Sequence, residues 1–281
     1  MNRIIVALDF GPSTDSIISF AGHLALDFKA EIHLIHVHRL FSDHGLTTAS
    51  FLAEKEILEE MQLAALEIRN LTGQLVNTSY SVSYDTIESA VLNAANDADL
   101  ILIGQTINTG IWRFLAGDVS EGIIERSKCP ILVVPHEAKW IAPSRITVAA
   151  DRYEIPDSAI SFIDKILKQY ASKVNVFHRS GLPLLELPQA STEKFKAIGA
   201  HVQEEYSFDS LTNYLLDCIE KSQANWLTVI HHRRPRWKEW LSRNHCETVA
   251  DVSPIPVLIL PDINPTPEPE TIQTASAIGF V

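Results

Sequence analysis

A chain of 281 residues, 46% hydrophobic and 21% charged, is ordinary globular material of about two-domain length, which excludes a disordered chain. Its formal charge of −12 repels polyphosphate and anionic lipid at long range, so neither nucleic acid nor a membrane is an expected partner. Cys129, Cys218 and Cys246 are odd in number, far apart and form no CxxC pair, which excludes a disulfide framework and points to a reducing compartment. The opening apolar run, Ile4 to Leu8, is interrupted by Asp9, and no stretch approaches the roughly 20 residues that span a bilayer. A cytoplasmic protein is therefore expected.

In chain order, Ile4 to Leu8 reads as a strand buried on both faces, because its apolar run is short and continuous. Pro12-Ser13-Thr14 opens a helix reaching about Asp27, and Ile32 to Val37 is the next strand. Residues 50–72 carry an amphipathic helical pattern through Leu52, Ile57, Leu58, Met61, Leu63 and Leu66. A strand near 78–83, a helix near 86–97, a strand at Leu100 to Ile103, a helix near 118–127 and a strand at Ile131 to Val134 follow. Alternation of this kind predicts right-handed crossovers and a parallel sheet.

The pattern then starts again. Arg145 to Asp151 reads against Arg3 to Asp9, Asp157 to Phe162 against Asp15 to Phe20, and Val174 to His178 against Ile32 to His36, all at one offset of 142 residues (145 − 3). Three ungapped matches argue for duplication. Asp209-Ser210-Leu211 pairs best with Asp85-Thr86-Ile87, so the second copy is shorter by about eighteen residues (142 − 124) after its second strand. The expected organisation is one domain at 1–138, a linker, a shortened copy at 144–262, and a tail at 263–281 rich in Pro, Thr and Glu. The last strands of the two copies, Ile131–Val134 and Val257–Leu260, are expected to meet, making a pseudo-dimer within the chain; a homodimer of such chains is compatible with this.

In a doubly wound sheet the ligand crevice lies beyond the carboxyl ends of the strands, where strand order reverses. Asp9 ends the first strand and Gly104 a later one, and Gly117 precedes a helix whose free N–H groups favour phosphate. These residues, with the following Cys129-Pro-Ile-Leu-Val-Val-Pro135 strand, resemble the universal stress protein family in its tandem form. The resemblance covers most of 1–135 and, more weakly, 144–262. It implies two tandem doubly wound α/β domains, Rossmann-like and of the adenine nucleotide α-hydrolase-like type. It further implies ATP or AMP as the ligand, held by Asp9, Val37, Gly104, Gly117, Asp118, Val119 and Ser120.

The family loop reads G-x2-G-x9-G-[ST]. Gly104 and Gly117 match it, whereas Ile107 stands for the second glycine and Asp118 for the hydroxyl residue. A β-branched Ile does not take the positive φ that a glycine allows. An ionised Asp accepts hydrogen bonds and cannot donate one to phosphate. Three readings follow: a non-enzymatic stress-response or signalling protein with an altered or vestigial nucleotide site; a competent ATP or AMP binder relying on Gly110 and the N–H groups near Gly117; and an enzyme acting on a nucleotide or acyl group in the same crevice. No G-x-S-x-G, HExxH or Walker A lysine supplies a catalytic set.

In the second copy His231, Arg234 and Asn244 stand against the loop glycines. Its loop, residues 231–243, holds five Lys/Arg and one Glu, and Arg233, Arg234 and Arg236 are candidates for a small anion. His231, His232, His245 and Cys246 do not have the spacing of a zinc site. The competing structural readings are that Asp9 and Asp151 cap the turns into the next helices, that the glycines serve tight turns, and that His36 and His178 are hydrogen-bonded strand residues.

Overall fold

The computed structural model describes residues 1–38, 48–104, 122–124, 126–150, 153–180, 187–206, 211–231 and 255–262. The first half contains β1 (Arg3–Leu8), α1 (Thr14–Phe28), β2 (Glu31–Val37), α2 (Thr48–Leu71), β3 (Thr78–Ser83), α3 (Ile87–Ala94), β4 (Leu100–Gly104) and β5 (Ile131–Val134). The second contains β6 (Arg145–Ala150), α4 (Asp157–Tyr170), β7 (Lys173–Ser180), α5 (Gln189–Ala197), β8 (His201–Tyr206), α6 (Leu211–Ser222), β9 (Trp226–His231) and β10 (Val257–Pro261). Residues 122–124 are helical and lie between β4 and β5.

The strands form one sheet in the order β3-β2-β1-β4-β5-β10-β9-β6-β7-β8. Read inward from either edge, the order is the same. Neighbours within each half are parallel, and only β5 and β10 run antiparallel. The expected meeting of the last strands is therefore a ladder: Val133 faces Val257, Leu132 faces Leu258 and Ile131 faces Ile259. Exchanging the halves maps this ladder onto itself about the Leu132–Leu258 pair, so a local two-fold axis passes there. One consequence is directional. The carboxyl ends of the strands, and with them the two crevices, point opposite ways along the sheet.

Side chains alternate between two apolar layers, as strand geometry requires. Ile4, Val6 and Leu8 face one core with α1, α2, α4 and Phe195 of α5. Ile5 and Ile101 face the other with α3, Ile123, Ile124 and α6. Helices on both faces explain why the strands read as continuous apolar runs rather than alternating ones. Each fully buried aliphatic side chain contributes about 1.5–3 kcal/mol, so the runs stabilise the fold and select the parallel arrangement together.

The register measures the duplication. Ile5 pairs with His33 and Thr147 with Asn175, which keeps the offset of 142 through the first two strands of each half. Leu34 pairs with Tyr80 and Val176 with Val202, so the offset falls to 122 (202 − 80) at the third strand. The missing residues separate the 24-residue α2 from the 9-residue α5. The helix caps repeat too. Lys29 after α1 and Ala171 after α4, 142 apart, both take left-handed backbone, at φ 55° and 49°.

The segment between β5 and β6 crosses over the seam and carries Trp140 into the helical layer. Trp140 stacks on His23 of α1 at 5.2 Å and meets Phe20, Tyr170 and Trp226 edge-on at 5.1, 6.3 and 6.4 Å. Tyr170 Oη donates to Asp27 Oδ2 at 2.8 Å, and Gln169 Nε2 donates to the Asp27 carbonyl at 2.9 Å. Burial first, then the Asp27 bond, push the Tyr170 hydroxyl well above the usual phenol range. These contacts tie α1 to α4 and hold the halves through side chains as well as the seam.

Candidate functional site

The chain reverses direction across the sheet between β1 and β4. It runs outward through β2 and β3, then returns to place β4 on the other side of β1. Ala7 lies beside Ile103 in that pair, so Asp9 and Gly104 flank one opening at the carboxyl end. This is the position at which doubly wound sheets receive ligands.

Asp9 is exposed one residue beyond β1. Its Oδ1 accepts from the Gly11 N–H at 2.9 Å, the local turn bond an aspartate makes two residues on. Between them Phe10 takes φ 55°, a left-handed conformation costing a bulky residue on the order of 1–3 kcal/mol. Thr14 closes the turn, its N–H and hydroxyl donating to the Gly11 carbonyl at 3.0 and 2.7 Å.

Gly104 lies directly under the start of α1. A Cβ there would stand 2.2 Å from Ser13 Oγ, 2.5 Å from Ile17 Cδ1 and 2.9 Å from Ser13 Cβ. No rotamer change relieves a clash with a Cβ, so only glycine lets α1 sit this close to β4. The glycine is accounted for by packing, whether or not phosphate ever approaches it.

β2 delivers two more residues. His36 pairs with Leu8 across the ladder, and its Nδ1 is 2.8 Å from the Leu8 carbonyl oxygen. Its ring packs against Phe10 at 5.1 Å. Val37 follows, half-buried on the opposite face against the second core. The structure thus gathers Asp9, Val37 and Gly104 at one end of the first half. Gly117, Asp118, Val119, Ser120 and Ile107 lie outside the described residues, as do Asp151 and Arg233, Arg234 and Arg236.

The second crevice requires one correction. Sequence comparison sets His231 against Gly104. The ladders pair Ile4 with Leu100 and Ile146 with Trp226, an offset of 126 (226 − 100), which puts Ile230 in the place of Gly104. A slip of one residue carries every side chain of a strand to the opposite face, and an ungapped reading of a short loop does not detect it. At the facing positions Ser13 and Ile17 become Ile155 and Ala159. All three second-half residues are buried, Ile230 at 8% exposure being the most open. Gly104 and Ile17 of the first half thus correspond to Ile230 and Ala159 of the second. His178 keeps its bond, with Nδ1 3.1 Å from the Ala150 carbonyl oxygen.

Cys129 is a buried thiol whose Sγ donates to the Ala98 carbonyl at 3.3 Å, and burial with the nearby Asp99 charge pushes it up to about 12. It is a protonated structural group, unsuited to nucleophilic work at neutral pH. Among the described residues no cluster of three His, Cys, Asp or Glu could hold a metal ion. No helix among them is long and apolar enough to cross a membrane.

Comparison with known proteins bears on this site. Residues 1–135 match the model of the universal stress protein family. A universal stress protein of Methanocaldococcus jannaschii is 29% identical over 142 residues, covering 49% of this chain and 84% of that one. Universal stress protein YxiE of Bacillus subtilis is 27% identical over 147 residues, covering 47% and 98%. The crystal structure of a universal stress protein from Archaeoglobus fulgidus superposes over 92% of this chain and 96% of its own, with a TM-score of 0.69 at 19% identity. That last likeness spans both halves and establishes the tandem Rossmann-like fold.

Proposed function

We propose, from the match of residues 1–135 to the universal stress protein family model, that this is a non-enzymatic stress-response or signalling protein with an altered nucleotide site in its first half. The observation that carries this is the packing at Gly104. The glycine that matches the start of the family's loop is required by Ser13 and Ile17, so its presence is no evidence for a phosphate. The two loop positions that would report on phosphate directly, Ile107 and Asp118, depart from the pattern. A carboxylate about 4 Å from one phosphate charge costs on the order of 1 kcal/mol in water and 4 kcal/mol at an effective dielectric near 20.

A second reading, a working ATP or AMP site, draws support from Asp9. It is exposed at the point where strand order reverses, on a turn that strains Phe10, and such strain collects at functional sites. Calorimetric titration of ATP and AMP, with and without magnesium, separates the two. The expected result is weak or absent binding by the natural protein and a gain of about fivefold to several hundredfold in Ile107→Gly with Asp118→Ser. Tight binding by the natural protein, with no gain in the double variant, would establish the second reading instead. The arginines of 231–243 remain candidates for a small anion.

A further inference from the structure

Two histidines, one in each half, make the same bond. His36 Nδ1 lies 2.8 Å from the carbonyl oxygen of Leu8, and His178 Nδ1 lies 3.1 Å from that of Ala150. The pairs are related by the offset that relates the halves, 142 for the histidines (178 − 36) and 142 for the carbonyls (150 − 8). A carbonyl only accepts, so each ring donates through Nδ1–H, which sets the tautomer of the neutral imidazole and leaves Nε2 without a proton.

The acceptors share a place in the chain. Leu8 and Ala150 are the last residues of β1 and β6, and each is followed in sequence by an aspartate. The surroundings have otherwise diverged. His36 is half-buried while His178 is 1% exposed. The helix start opposite holds Ser13 in one half and Ile155 in the other, and Gly104 has become Ile230. The bond is present in both halves despite those changes.

The carbonyl of Leu8 belongs to the peptide that joins Leu8 to Asp9. Holding that oxygen fixes the peptide plane and so the direction in which Asp9 leaves the sheet. Phe10, packed on the same ring at 5.1 Å, is held from the other side of Asp9. We propose that His36 is a positioning residue for Asp9: it clamps the peptide before the carboxylate and the side chain after it, and so sets where the carboxylate stands in the crevice. This rests on reading Asp9 as the ligand-facing group of that crevice, and the test below does not depend on any ligand.

On the full chain in mildly alkaline buffer, a long-range proton–nitrogen spectrum of the imidazoles should show His36 protonated on Nδ1 with bare Nε2. Hydrogen exchange then reads the turn, because the Gly11 N–H is the donor to Asp9 Oδ1. His36→Leu should speed Gly11 exchange by about tenfold or more. His36→Asn, whose side-chain N–H can reach the same carbonyl, should recover part of the protection. His33→Gln, altering a ring that bonds Ser79 and Ser81 on the other face, should leave Gly11 unchanged. The Nε2–H tautomer, or unaltered Gly11 exchange in folded His36→Leu, overturns the proposal. Should that variant not fold, the tautomer in the natural protein decides. Failure of ATP and AMP to bind any variant would count against a working nucleotide site while leaving these readouts intact.

Discussion

The two halves share strand order, helix caps and the histidine-to-carbonyl bond, and they part company at the contact between the fourth strand and the first helix. In the first half a glycine, Gly104, meets Ser13 and Ile17; in the second, an isoleucine, Ile230, stands at the same strand register, and Ile155 and Ala159 stand at the equivalents of Ser13 and Ile17. The second set is the bulkier, by three side-chain heavy atoms, so the helix and strand cannot meet in the same way in both halves. In the first half Ser13 and Ile17 cover the Gly104 backbone, near the exposed Asp9. In the second half the strand itself carries the buried side chain, Ile230. A repeat can thus keep its strand order while the residues at one helix–strand contact change.

The comparison can be broken most severely from the second half. Ile230→Ala removes a buried side chain for which the first half has no counterpart, and chemical denaturation should show a loss of about 2–5 kcal/mol. If the site is as tightly filled as its burial implies, the loss falls at the upper end; a loss below about 1 kcal/mol would mean that Ile230 fills no space of its own.

A smaller effect sharpens the idea of exchanged bulk. Gly104→Ile alone should destabilise by about 1–3 kcal/mol, through the clash with Ser13 and Ile17. Adding Ile17→Ala removes one of the clashing side chains and should return part of that loss, with a coupling of about 0.5–3 kcal/mol in a double-mutant cycle. Additive effects would show that the two halves reached their packing independently of this pair.

The smallest effect tests what the halves do jointly. Tyr170→Phe removes the bond to Asp27 and should cost about 1 kcal/mol at neutral pH. Burial and the Asp27 bond raise the natural hydroxyl above the ordinary phenol value of about 10, so the folded state holds its proton where the unfolded chain has released it. That contribution is complete below about pH 10 and is lost as pH rises further. Denaturation midpoints should therefore fall more steeply above about pH 10 for the natural protein than for the Phe variant, and parallel curves would show that Tyr170 ionises as freely in the fold as outside it.

Much of this is legible in one dimension. Ile4 to Leu8, Leu100 to Ile103 and Ile131 to Val134 announce strands buried on both faces, and the offset of 142 is enough to mark the second copy. The site is legible in outline, since Asp9 and Gly104 end strands in a fold whose crevice position is known. Two things are not. In the sequence Gly104 speaks only for its own backbone, whereas the reason for it lies in Ser13 and Ile17, far earlier in the chain. His36 reads as a strand residue, although a sign of its further role stands in His178, placed at the same offset.

The sequence by itself determined the duplication, the alternation of strand and helix, and which strands would form the seam, because burial on both faces requires apolar runs and duplication repeats them at a constant spacing. Only the tertiary structure decided the register at the fourth strand, where the offset is 126 (226 − 100) and Ile230 replaces the glycine. It also decided that a histidine on β2 holds the peptide before the aspartate that follows β1. These are contacts between residues far apart in the chain. Nothing in local composition or periodicity encodes them, because each is fixed by the shape of a partner that only the folded sheet brings alongside.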